Sequence, residues 1–113
     1  MTETIKRFET ETKVYYNEEF IGLTTGITCI TELKDDDYFV STTIKSNLIE
    51  EIKDNYNKQS NMLIRLVNDD DIIKIKHAEH ISSAYHEDLC FTTWKFNKKD
   101  LQILNNITPG AIY

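Results

Sequence analysis

Residues 62–76, MLIRLVNDDDIIKIK, constrain most strongly what this chain can fold into. Two short apolar runs alternate with period two on either side of Asn68-Asp69-Asp70-Asp71, a cluster whose side chains favour turns. Met62, Ile64 and Leu66 share one face of the first run, with Leu63, Arg65 and Val67 on the other. In the second run Ile73 and Ile75 oppose Lys74 and Lys76. The pattern predicts a β-hairpin whose first strand is central in a sheet and whose second has one wet face.

Three further strands are expected upstream. Residues 5–16 are rich in Thr and in β-branched or aromatic side chains, with Ile5, Val14 and Tyr16 as apolar anchors. In residues 20–30, Ile21, Leu23, Thr25, Ile27 and Cys29 fall on one face, and Gly22, Thr24, Gly26 and Thr28 on the other. Two glycines on one strand face predict a bulge or the close approach of another backbone. In residues 38–44, Tyr38, Val40, Thr42 and Ile44 share a face. The adjacent pairs Tyr15-Tyr16 and Tyr38-Phe39 cannot both point into one core, so one member of each must face outward.

The period then changes. Leu48, Ile49, Ile52 and Tyr56 recur at helical spacing behind Ser46 or Asn47 as a cap, with Glu50 completing an approximate capping box. A helix ending near Gln59 follows, and it would cover one side of the sheet. Residues 77–88 read as a polar connection, 89–96 as a strand, and 98–105 as a second short helix capped by Asn97, with Leu101 and Leu104 pointing inward. Pro109-Gly110 then precedes Ala111-Ile112-Tyr113, a candidate edge strand. The expected fold is one α+β domain over residues 1–113, a largely antiparallel sheet of about six or seven strands with two short helices. If the first strands curl onto the later ones, the sheet becomes a partly open barrel.

Residues 62–112 resemble a hairpin-strand-helix-strand module of uncharacterised bacterial, Bacteroidota-like proteins. The resemblance rests on LVNDDD, IIKIK, LCFTTWKF and NKKDLQIL. It implies an α+β fold and a bacterial or phage origin, and no activity. Eleven Lys against two Arg, with many Ile and Asn, fit an AT-rich coding bias.

Composition narrows function mainly by exclusion. A net charge of -6 speaks against direct nucleic-acid binding, which needs clustered cations. Two cysteines are too few for a disulfide framework and imply a reducing, cytoplasmic setting. The first residues hold no apolar signal segment, and nowhere do about 18 apolar residues run together, so no membrane association is expected. Nucleotide and nucleophile motifs are absent from the sequence. Cofactors are therefore not expected.

Two acidic clusters, Asp35-Asp36-Asp37 and Asp69-Asp70-Asp71, fall at expected turns and would meet a partner with a basic face. His77, His80, His86 and Cys90 offer zinc-type ligands within fourteen residues, though at no standard finger spacing. The leading expectation is a non-enzymatic protein-binding or accessory module, working with a protein partner or as a homodimer through outward aromatics. The alternatives are an acidic phage-type inhibitor of a nucleic-acid-binding enzyme, acting through the two Asp clusters, and a metal-binding protein using the 77–90 segment.

Overall fold

The computed structural model describes residues 3–56 and 59–105. In chain order the elements are β1 (Glu3–Phe8), β2 (Lys13–Tyr16), β3 (Glu19–Thr24), β4 (Thr28–Lys34) and β5 (Asp37–Lys45). A single helical segment follows, α1 (Ile49–Glu51), which runs on as a π-helical turn (Ile52–Tyr56). The remainder is β6 (Met62–Val67), β7 (Asp71–His86), β8 (Leu89–Asn97), a 3₁₀ turn (Lys98–Asp100) and β9 (Leu101–Asn105).

All strand pairings are antiparallel, and six strands close on themselves in the order β5-β3-β2-β6-β7-β8. The last seam runs from Asp37 opposite Asn97 to Lys45 opposite Leu89. Closure gives each of the six strands a partner on both sides over at least part of its length. β1 and β9 stand outside it, on β4 and β7.

Long strands close so small a ring because they bend. One edge of β5 is shared, with β4 along Asp37 to Ser41 and β3 at Ile44 and Lys45. The two partners part at Gly26, whose φ of 74° suits a residue without a Cβ. β7 gives its first half to β6 and its second to β8, and register shifts interrupt both pairings. At one of these bulges His77 takes a left-handed φ of 54°.

Inward side chains fill the barrel: Val14 and Tyr16 from β2, Ile64 and Leu66 from β6, Ile73 and Ile75 from β7, Trp94 and Phe96 from β8. The expected β5 face of Tyr38, Val40, Thr42 and Ile44 is buried, and Phe39 and Tyr15 are the outward members of their pairs. Ile52, 1% exposed, closes one mouth. Burying such a side chain stabilises the fold by about 2 kcal/mol.

The hairpin of residues 62–76 forms as expected, and Asn68 builds its turn by accepting the amides of Asp70 and Asp71 through Oδ1, at 2.9 and 2.8 Å. The α+β expectation is overturned, because the chain is a nearly all-β barrel with one short helix. Residues 77–88 are not a connection; β7 runs through them to His86. Their polarity follows from the bulges and from a strand whose inner face reaches the barrel mouth. Residues 98–105 are a 3₁₀ turn and a strand, not a helix. Asn97 does cap it, Oδ1 accepting the Lys99 amide at 3.0 Å, but Leu101 and Ile103 then pair with Ile75 and Ile73 at period two. In residues 20–30 the expected Ile/Leu face is buried only at Ile21; beyond it Gly22, Thr24 and Thr28 turn inward, because Ile21 is an extra residue between the pairs Val14–Gly22 and Tyr15–Phe20. Both glycine expectations hold at Gly22, which sits beside this bulge and against the β5 backbone. The expected strand at 111–113 lies outside the described residues.

Candidate binding groove at the mouth of the barrel

The β2–β3, β5–β6 and β7–β8 connections meet at the mouth closed by Ile52. Ser46 ties three of the elements there together. Its Oγ donates to the Ile21 carbonyl and accepts the Leu48 amide at 2.9 Å, while its own amide donates to the Asp88 carbonyl at 2.9 Å. The sequence offered Ser46 or Asn47 as the helix cap; neither occupies the N-cap position, which falls at Leu48, and Ser46 acts instead as a staple between β3, the start of α1 and the β7–β8 turn. The side chain capping α1 is consequently absent at Leu48.

Around this staple lies a depression of about 290 Å³, walled by Phe20, Leu23 and Leu48 and floored by Gly22. A second, of about 310 Å³, shares Ser46, Asn47, Leu48 and Asp88 and is bounded by Glu50, Glu51 and Glu87. The groove is therefore apolar at one end and rimmed by four carboxylates at the other. Lys45 lies 4.0 Å from Asp88, and Lys53 3.5 Å from Glu50. Two lysines against four carboxylates leave the rim net negative.

Behind the groove a polar thread runs into the barrel. Trp94 Nε1 donates to Tyr16 Oη at 3.2 Å, and the Tyr16 ring meets Trp94 and Tyr56 edge-on at 5.4 and 5.5 Å. His80 stands edge-on to Trp94 at 5.3 Å, with Nε2 2.6 Å from Ser83 Oγ. Burial pushes the Tyr16 hydroxyl up and raises the Cys90 thiol to about 11. Burial, helped by the hydrogen-bonded Glu19 carboxylate, lifts Tyr56 to about 12. A thiol held protonated is a poor nucleophile, and Cys90, 0% exposed, packs in the core.

Burial also lowers the His80 pKa below its ordinary value of 6.5. The folded state thus favours the neutral ring, and the resulting stability is fully present above about pH 6.5. Below that, the unfolded chain takes up a proton that the folded chain resists, and stability falls until the folded-state pKa is passed. The urea midpoint should drop between about pH 7 and 5, and less steeply in His80→Gln. Equal slopes in the two proteins would show that His80 does not carry the effect.

The four zinc-type residues do not converge. His77 points outward to Asp100, Nδ1 to Oδ1 3.2 Å; His80 lies against Trp94; His86 is exposed at the end of β7; and Cys90 is buried. Among the described residues no group of three His, Cys, Asp or Glu side chains could hold a metal ion.

The Asp clusters are likewise apart. Asp35 and Asp36 form the left-handed turn between β4 and β5, and Asp69 to Asp71 the turn before β7. Asp37 pairs with Asn97 and Asp71 with Asn105, at opposite ends of the β8–β9 run. Asp71 is also engaged by Lys6 at 2.8 Å. The groove carboxylates come from separate segments, and no local pattern in the sequence marks them.

No described helix is long and apolar enough to cross a membrane. No protein-family model matches the chain, and neither a curated protein nor a solved structure matches it.

Proposed function

We propose that the chain is a small cytoplasmic protein-binding module whose groove at the barrel mouth receives a basic, amphipathic segment of a partner protein. One observation carries this reading: an apolar depression lined by Phe20, Leu23 and Leu48 adjoins a rim of Glu50, Glu51, Glu87 and Asp88. An apolar anchor in a pocket supplies affinity, and complementary charge around it supplies orientation and association rate. The groove side chains offer no activated nucleophile, which favours binding over covalent chemistry.

The probe is a fluorescent peptide alternating Lys and Leu, titrated against the full chain with a Glu/Leu peptide as control. The Lys/Leu peptide should bind, more weakly as salt rises, and the acidic one should not. Leu48→Asp should weaken binding by about tenfold or more, as loss of a central apolar anchor does. Glu50→Lys combined with Glu51→Lys should remove most of the salt dependence. Binding indifferent to both changes would place the partner elsewhere.

A further inference from the structure

The net charge of -6 is not spread evenly. Across the outer face of the sheet, Phe20, Tyr15, Arg65, Lys74 and Gln102 stand in one cross-strand row from β3 through β2, β6 and β7 to β9. The adjacent row carries Lys13, Val67, Ile72 and Leu104. On the other side Lys74, Lys76 and Lys99 line a depression of about 350 Å³ together with Gln102.

Five cations thus share this face: Lys13, Arg65, Lys74, Lys76 and Lys99. Glu18 meets Arg65 at 3.1 Å, Glu11 and Asp69 line a depression beside Lys13, and Asp100, at the rim of the lysine-lined depression, is turned to His77 with only 13% of its side chain exposed. Among the described residues Lys13, Lys74, Lys76 and Lys99 make no ion pair. Arg65 lies over the Tyr15 ring at 4.3 Å, and Phe20, 47% exposed, meets that ring edge-on.

We propose that this outer face binds single-stranded nucleic acid, Lys13, Lys74, Lys76 and Lys99 receiving phosphates and the exposed Phe20 ring meeting a base. Fixed cations beside an exposed aromatic ring are what such a ligand needs, since its backbone is anionic and its bases are planar. An acidic peptide would match the charge but leave the exposed Phe20 ring without a planar partner. Five neighbouring strands at about 4.8 Å spacing put the row at roughly 19 Å across, enough for a few nucleotides. The net charge does not forbid this, because at physiological salt charges beyond about 8 Å are largely screened. Phe20 borders both this face and the groove; the cations belong to this face alone, so its test is independent of the groove reading.

The test is fluorescence anisotropy of a labelled oligothymidylate of about twelve nucleotides, titrated with the full chain at about 50 and 200 mM salt. We expect binding at the lower salt and, for about four phosphate contacts, a slope of log affinity on log salt near −3. Lys74→Glu with Lys76→Glu should lower affinity at least tenfold, and Lys34→Glu, outside the face, should leave it unchanged. Lys74→Gln with Lys76→Gln serves if the reversed pair fails to fold. Three results would each overturn the proposal: no binding at about 50 mM salt, duplex bound as tightly as single strand, or polyglutamate competing as well as unlabelled oligothymidylate.

Discussion

Replacing Gly22 by alanine is expected to destabilise the protein by about 3 kcal/mol, at the upper end of what overpacking costs. A Cβ built there stands 2.4 Å from the Lys45 carbonyl oxygen, 2.9 Å from Ile44 Cγ2 and 3.1 Å from Ser46 Cβ. The first of these is backbone, which cannot rotate aside as a side chain can. The barrel is also thinly joined here. β3 and β5 share only the register pairs Leu23–Lys45 and Thr24–Ile44, continued by the Thr25 amide to the Thr43 carbonyl at 2.8 Å. Moving β5 away to admit a methyl group would strain those bonds and the Ser46 staple together. Gly26→Ala is the control: its φ of 74° carries strain, but nothing lies within 4 Å of the added carbon. About 1 kcal/mol is expected there. Urea denaturation should separate the two variants, and hydrogen exchange in Gly22→Ala should show β3 amides losing protection first. Equal costs would mean that close approach to Lys45 does not govern the first site.

The same geometry explains which parts of the fold the sequence discloses. Residues 38–44 and 62–76 lie where a strand keeps one face to the core throughout, so period two survives and both were legible. Legibility fails where the barrel turns. The bulge at Ile21 changes phase within residues 20–30, and the apolar Leu23 and Ile27 end outside while Thr24 and Thr28 go in. In 77–88 two bulges break the alternation, and the strand carries His80, Ser83 and Tyr85 inward where aliphatic residues would have marked a strand. Leu101 and Leu104 fit a helical spacing as well as a strand of mixed faces, and the Asn97 cap favoured the helix. Only pairing with Ile73 and Ile75 decides between them.

Charge was harder to read than periodicity. A net value of -6 counts carboxylates at both barrel ends together with the lysines of one side. Arg65 and Lys74 face each other across one hairpin, but Lys13 and Lys99 lie far away in the chain and join them only through the pairing of β2 with β6 and of β9, which follows the Lys99 turn, with β7. The two Asp triplets, conspicuous in sequence, instead occupy separate turns, and Asp71 is engaged by Lys6. Clustering along a chain and clustering on a surface are different quantities in a barrel, where adjacent strands need not be adjacent in sequence.

Truncation of Trp94 should be the most damaging single change in the core. The indole is 1% exposed, meets the Tyr16 and His80 rings edge-on, and donates its N–H to Tyr16 Oη. Trp94→Ala removes that packing and leaves a cavity at the centre of the barrel, at a cost of about 3–5 kcal/mol. Tyr16→Phe tests the polar part separately. It preserves the ring but strands a buried indole N–H, which should cost about 1–3 kcal/mol. In Trp94→Phe the donor is gone as well, so adding Tyr16→Phe to that background should cost less than it does alone. A double-mutant cycle built from urea midpoints should therefore return a coupling of about 1 kcal/mol. The chain has a single tryptophan, so its emission reports on this site alone. Folded wild-type protein should emit at shorter wavelength than unfolded, with the Tyr16→Phe spectrum close to wild type. Additive costs in the cycle would mean that the Trp94–Tyr16 hydrogen bond contributes nothing beyond ring packing. A red-shifted wild-type spectrum would place the indole in water and remove the ground for both expectations.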